Sequence, residues 1–268
     1  NMSNQSVRSQ RYDELGNRMK AYEKIETTQK FSPNSILCVR IDGRSFSKFT
    51  KGLQRPYDER LSKLMIETTK YVVEEHKCLI GHTSSDEMSF IMLNKYGAPC
   101  DFDGEKQKLV SSMASSATAY FNAHLHEYLP EKVGSRLPRF DCRIWAVPDV
   151  SEATNVILWR EQDAVKNSIA MSAHHHFSHK ELHKKNGKVM KDMLLTQRDI
   201  RWEDYPKFFK SGTYVQRVSY FKTNEDGTII IDEKTNNYIV RHKISEVNMV
   251  LGDLEHSERI KRIFGDKV

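Results

Sequence analysis

The sequence is poor in cysteine and has no long apolar run. Its four cysteines, Cys38, Cys78, Cys100 and Cys142, are scattered over 268 residues, and no C-x-x-C pair occurs. That argues against a disulfide framework and against a zinc site. Cys38 and Cys142 sit in apolar, strand-like stretches, where a buried free thiol is the plain reading. No stretch approaches the roughly 20 apolar residues of a membrane span. The N-terminus is polar through Lys30, so no secretory leader is expected, and Asn1 ahead of Met2 reads as a remnant of expression. Internal repeats, low-complexity tracts and evident flexible linkers are missing as well. These absences predict a soluble cytoplasmic chain with no membrane partner, forming one large domain or one with a smaller appendage. The 42 Lys and Arg residues outnumber 36 Asp and Glu, a net +6, with the basic residues concentrated in 160–222 and 240–262. Such a balance permits a polyanionic partner without requiring one.

Two acidic motifs stand out. Val39-Arg40-Ile41-Asp42-Gly43-Arg44-Ser45-Phe46 is an apolar run that ends in a carboxylate and a glycine. Some forty residues on, Ser84-Ser85-Asp86-Glu87 lies between two apolar runs. Strand-end carboxylates that meet in space can hold Mg²⁺, the ion through which proteins handle nucleoside triphosphates. Phosphoryl transfer asks a protein mainly for positioning and charge neutralisation. Gly43 lets backbone approach metal or phosphate closely, and Arg44, Ser45 and Ser47 can donate to a triphosphate. Either motif alone reads better as an ordinary turn; their joint placement points to nucleotidyl transfer.

That placement follows from the predicted elements. Residues 8–30 carry Leu15, Met19, Tyr22 and Ile25 at helical spacing and predict an amphipathic helix packed on the main domain. Residues 36–42 predict a buried strand. Asp58 is a candidate N-cap for a helix running to about Cys78. Leu79–Thr83 and Met88–Leu93 predict a hairpin with the acidic pair at its turn. A long helix over 103–129 and a strand over 140–147 complete a βαββαβ order. This is the α+β, ferredoxin-like arrangement of polymerase palms, an antiparallel sheet with helices on one face. Residues 1–150 form this catalytic unit. Residues 151–268 are expected to be a helical and β-hairpin extension packed on it, with Ser151 as N-cap candidate and a hairpin of 213–222 with 228–232 about Asn224-Glu225-Asp226-Gly227.

Three blocks strongly resemble the tRNA-histidine guanylyltransferase family: Arg40-Ile41-Asp42-Gly43-Arg44-Ser45-Phe46, Pro56-x-Asp58-Glu59-Arg60, and Ser85-Asp86-Glu87-x-Ser89-Phe90. Trp159-Arg160-Glu161-Gln162-Asp163 with Asn167 matches a fourth, so the resemblance covers residues 10–195. It implies a polymerase that adds nucleotides to the 5′ end of tRNA, in the 3′-to-5′ direction. The 5′-monophosphate is first activated with ATP or GTP, or a 5′-triphosphate is used directly. By matching position it implies that Asp42 and Asp86, with a backbone oxygen of Gly43, hold two Mg²⁺ ions, with Glu87 as an adjacent catalytic acid. Arg44, Ser45, Phe46, Ser47 and Ser85 would line the triphosphate, and Arg55 and Asp58 would make further nucleotide contacts. A homotetramer is also implied. Where the guanylyltransferases proper carry His-Ile-Asn-Asn, this chain has Val165-Lys166-Asn167-Ser168. That pattern is similar to the guanylyltransferase-like bacterial, archaeal and phage-type branch, which implies template-dependent 5′-end repair. Addition of a single G to tRNA-His is the alternative. Another palm enzyme such as a nucleotide cyclase, and a non-catalytic tRNA-binding protein, are others.

Arg40, Arg160, Lys166, Asn167 and Lys188 are candidate RNA contacts, within a basic band that also includes Lys180, Lys184, Lys185 and Lys191. His175, His179 and His183 recur at i, i+4 and i+8. A solvated or RNA-facing surface is the better reading, and a metal site the minor one. Residues 200–268 are assigned no chemistry.

Overall fold

The computed structural model describes residues 4–95 and 97–265, with side chains from residue 9 onward; Asn1 lies outside them. The elements are helix α1 (Asn4–Thr27), strand β1 (Ser35–Arg44), helices α2 (Phe46–Phe49) and α3 (Glu59–Glu75), strands β2 (Ile80–Ser84) and β3 (Glu87–Asn94), helix α4 (Lys106–Tyr128) and strand β4 (Arg139–Val147). Helices α5 (Val150–His176), α6 (His179–Leu182), α7 (Gly187–Arg198) and α8 (Lys207–Lys210), strands β5 (Thr213–Phe221) and β6 (Val240–Val247), and helix α9 (His256–Phe264) follow.

All strands lie in one antiparallel sheet of order β4-β1-β3-β2-β5-β6. Its first four strands have the expected ferredoxin-like arrangement. The two faces follow from alternation along the strands. Leu37, Val39 and Ile41 of β1, with Met88 and Phe90 of β3, face Leu64, Met65 and Val72 of α3 and Met113 and Phe121 of α4. Cys38 and Ile91 face the other way, into a second core with Ala153 and Ile157 of α5 and Ile263 and Phe264 of α9. The palm helices therefore occupy one face, and helices of the C-terminal extension cover the other. The extension also lengthens the sheet, since β5 pairs with β2. Burial pushes the thiols of Cys38 and Cys142 up to about 12, which keeps both protonated.

Several local expectations change. Helix α1 forms, but its apolar stripe is bare: Leu15 is 47%, Tyr22 65% and Ile25 68% exposed. The chain is tied down just beyond its C-terminal end, where Phe31 N–H donates to Gly104 O (3.0 Å) and Lys30 pairs with Asp103 (2.7 Å). The cap of α5 is Asp149, which accepts from Glu152 N–H (2.8 Å); Ser151 instead meets His256 Nε2 (2.7 Å). The turn at 224–227 closes, with Gly227 N–H on Asn224 O (3.0 Å). Yet the partner of β5 is β6, because the chain doubles back once more, through bridges 223–229 and 231–238, before returning.

The C-terminal segment is fastened by Glu161, a buried acid of α5. It accepts from the Tyr214 hydroxyl (2.9 Å) and from the N–H groups of Leu251 (2.7 Å) and Gly252 (2.8 Å). Glu161→Ala strands these donors, and we expect it to lower unfolding free energy by about 3 kcal/mol. Urea denaturation measures this, and a loss below about 1 kcal/mol would show that the clamp does not hold the segment.

Candidate active site

The antiparallel register sets acids side by side at one end of the sheet. Asp42 stands opposite Glu87 of β3 and, on its other side, opposite Asp141 of β4. Two residues back on the same face, Arg40 stands opposite Arg143. An acidic row thus lies over a basic one, beneath α5.

The turn after β1 is sewn to the β2–β3 turn by one hydrogen bond: Gly43 N–H donates to Asp86 O at 3.0 Å. Ser85 completes that second turn in the left-handed region at φ 53°. A Cβ on Gly43 would stand 2.5 Å from the Phe46 ring and 2.8 Å from Asp86 Oδ2. Only glycine leaves room for the two carboxylate turns to close on each other.

Burial and the nearby Asp42 charge push the Asp86 carboxyl up to about 6. Asp42 is also raised, first by burial and then by Asp141, against Arg40 and Arg143. Glu87 is raised by burial but is met by cations: Arg160 Nε at 2.8 Å and Arg40 Nε at 3.5 Å. Arg160 continues to Asp163 (2.7 Å) and lies 4.2 Å from the Trp159 ring centroid. Glu87 is therefore neutralised from within the protein. Asp86 has no ion-pair partner among the described residues.

These groups open on a cleft of about 830 Å³. Asp42, Ser85, Asp86 and Glu87 form its floor, Arg55 a side, and Arg40, Arg160 and Asn167 line it too. The expected residues Gly43, Arg44, Ser45 and Ser47 form the adjoining turn, with the last three exposed. Phe46 is a correction: its ring is buried against Phe49 (5.1 Å), Phe140 (5.1 Å) and Phe121 (5.6 Å), so it supports the turn from the core. Asp58 caps α3, accepting from Arg60 N–H (3.0 Å) and pairing with its guanidinium (3.0 Å); beside it is a smaller adjoining cavity of about 90 Å³. Lys166 is exposed and does not line the cleft, and Lys188 lines a separate cavity beside Trp202. Arg40 and Arg160 are turned to Glu87 rather than left free for an RNA phosphate.

Sequence reasoning reads His175 as part of a solvated or RNA-facing surface, but it does not bring Asp141, Asp163, Met171, His174 and His175 to this site. The last four follow Arg160 at helical spacing, a signal that becomes legible once α5 is known to roof the sheet.

Among the described residues, no three His, Cys, Asp or Glu side chains are grouped to hold a metal ion. His175, His179 and His183 do not share a face, because the helix ends at His176 and α6 starts anew after Ser178. Mg²⁺ asks for less: one or two carboxylates, with phosphates and water completing an oxygen shell. Asp42 and Asp86 fit that demand, with charge left uncompensated at Asp86.

A 4-1-3-2 antiparallel core with paired acids at its strand ends, beneath a large polar cleft, defines a palm-type nucleotide enzyme. The model of the tRNAHis guanylyltransferase family matches residues 16–148. A solved bacterial tRNA(His) guanylyltransferase-like protein in complex with ATP superposes with a TM-score of 0.71 at 38% identity, covering 76% of this chain and 87% of that one. A second such structure, in complex with GTP, gives 0.70 at 30% identity over 92% and 98%. The tRNA(His) guanylyltransferase of Saccharomyces cerevisiae is 28% identical over 72% of this chain and 87% of its own. The chain belongs to the tRNA(His) guanylyltransferase family and is a nucleotidyltransferase.

Two outcomes follow. Gly43→Ala should cost about 1–3 kcal/mol of stability and abolish nucleotide binding, read by denaturation and calorimetry; wild-type nucleotide affinity in the variant would refute the close approach. For Asp86, a folded-state pKa raised from 3.8 to about 6 gives stability that is complete below 3.8 and lost as pH rises through about 6. Without divalent ions, Asp86→Asn should therefore exceed wild type by about 3 kcal/mol at pH 7, with the gap closing toward pH 4. A gap independent of pH would count against burial of this charge.

Proposed function

We propose that this protein is a metal-dependent 3′-to-5′ nucleotidyltransferase that repairs the 5′ ends of tRNA under template direction. The observation that carries the reading is the meeting of Asp42 and Asp86 on one cleft, buried and raised in pKa, while neighbouring Glu87 already has its cations. Asp42, Asp86 and the Gly43 carbonyl are the groups that would hold two Mg²⁺ ions, which when bound supply Lewis-acid stabilisation of the phosphoryl oxygens.

The turn Gly43–Ser47 presents backbone N–H groups and the Arg44, Ser45 and Ser47 side chains to a triphosphate, with Ser85 and Arg55 on the cleft side. A 5′-monophosphate is activated by attack on the α-phosphorus of ATP or GTP, with loss of pyrophosphate. The 3′-hydroxyl of the incoming nucleotide then attacks the activated 5′-phosphorus, releasing the nucleoside monophosphate. With a 5′-triphosphate, pyrophosphate leaves directly. The bacterial relatives solved with ATP and with GTP support nucleotide use of this kind. Val165-Lys166-Asn167-Ser168 in place of His-Ile-Asn-Asn favours repair over single-G addition. A cytoplasmic homotetramer completes the reading; the bare apolar stripe of α1 supports contact with another copy, without fixing their number.

Asp42→Ala and Asp86→Ala should each lower NTP incorporation at least about 10²-fold with the fold intact. Retained incorporation in both variants sinks the assignment. Incubation with several tRNAs lacking their first nucleotide should restore the templated base in each. Addition of G to tRNA-His alone would establish the alternative, and cyclic nucleotide formed without RNA would establish a cyclase.

A further inference from the structure

The cleft is larger than its acidic end requires. Along α5 its wall runs from Arg160 past Asn167 to His174 and His175, about 22 Å at the α-helical rise. Arg160 marks the catalytic end, since it bonds Glu87 at 2.8 Å. The two histidines lie at the other. A nucleic-acid strand carries one phosphate per about 3.4 Å of helix axis, so the wall spans about six. A triphosphate seated at Asp42 and Asp86 would lie at the Arg160 end of this wall, and the imidazoles stand at its other end.

The character of the wall changes along its length. At one end Arg160 is itself matched within the protein, by Glu87 and Asp163. The middle is small and uncharged, with Ala164 and Ala170 leaving depth beside the Asn167 amide. At the far end His174 and His175 are exposed, and each has another imidazole beside it: His179 at 5.9 Å from His174 and His176 at 4.7 Å from His175, between ring centroids. Neither imidazole makes a hydrogen bond or ion pair among the described residues. Histidines in a last helical turn also suit the helix dipole, but that account does not require two of them to line the same cleft as the carboxylates.

Resting on the reading of this protein as an enzyme of RNA 5′ ends, we propose that His174 and His175 bind the sugar-phosphate backbone of the RNA strand whose 5′ end lies at Asp42 and Asp86. The strand leaves the catalytic end along α5, and the imidazoles take phosphates several nucleotides in from the reacting terminus. They are positioning residues: they hold the RNA without touching the reacting atoms or the triphosphate.

The test uses the full chain and a 3′-labelled acceptor-stem RNA, with either 5′-phosphate or 5′-hydroxyl. By fluorescence anisotropy, His174→Ala/His175→Ala should weaken binding of both RNAs about tenfold, with an unchanged melting temperature. His174→Lys/His175→Lys should restore or tighten it. In turnover assays the alanine variant should raise KM for RNA similarly, while KM for NTP and kcat at saturating RNA stay at wild-type values. Unchanged RNA affinity overturns the proposal, as does a raised KM for NTP, which would place the histidines on the nucleotide. The binding arm decides it even if the wild-type protein elongates no RNA, an outcome that would sink the broader functional reading alone.

Discussion

The site depends on one backbone hydrogen bond, from Gly43 N–H to the Asp86 carbonyl. Strand pairing alone brings Asp42 to Glu87 and Asp141; it does not bring in Asp86, which lies in the turn beyond the last paired residues. The added hydrogen bond does, at an electrostatic cost. Like charges facing each other across strands are destabilising, and burial strengthens the repulsion. The sequence tempers it with a parallel row of arginines one pleat away and with the Arg160–Glu87 pair. What remains uncompensated is concentrated on Asp42 and Asp86.

Helix α5 connects this site to the rest of the molecule. Its consecutive residues Arg160 and Glu161 are both buried and serve different partners. Arg160 reaches into the acidic end of the cleft, and Glu161 takes the donors of β5 and of the turn at 251–252. The C-terminal third therefore sets the height of the roof over the catalytic floor. Removing it would uncover one face of the sheet, where Cys38 and Ile91 pack, and would release the helix that carries half of the cleft wall.

The palm was legible in the sequence because each of its signals is local. Alternation gave the strands, Asp58 gave the helix cap, and the apolar runs on either side of Asp86 gave the hairpin. The convergence of Asp42 and Asp86 was legible because a βαββαβ order leaves β1 and β3 as neighbours. The parts that escaped depend on distant packing. Nothing near Phe46 distinguishes a ring that faces a nucleotide from one that supports the turn from below; Phe121 and Phe140, far along the chain, decide that. Asp141 becomes relevant only through register with β1. The wall of α5 was legible only in pieces: Arg160, Asn167 and His175 stood out singly, but residues neither all polar nor all apolar give their common face no signature until the sheet is placed beneath it. The partner of β5 was misjudged because the turn at 224–227 is strong locally, whereas the longer pairing with β6 is a property of two strands eighteen residues apart.

The electrostatics also give an order to events. A carboxyl held near 6 beside a second raised acid is a poor place for two negative charges in the empty protein, and a good one for a dication carried in by a triphosphate. On the proposed reading, binding such a complex would relieve a repulsion already built into the fold, so part of the affinity would come from that relief rather than from new contact. A bare triphosphate would meet the opposite: its own charge added to that of the pair. On that reading, the same acids would attract the metal-loaded nucleotide and disfavour the metal-free one, without any residue that recognises the difference directly. Glu87, already neutralised by Arg160 and Arg40, would take no part in this competition.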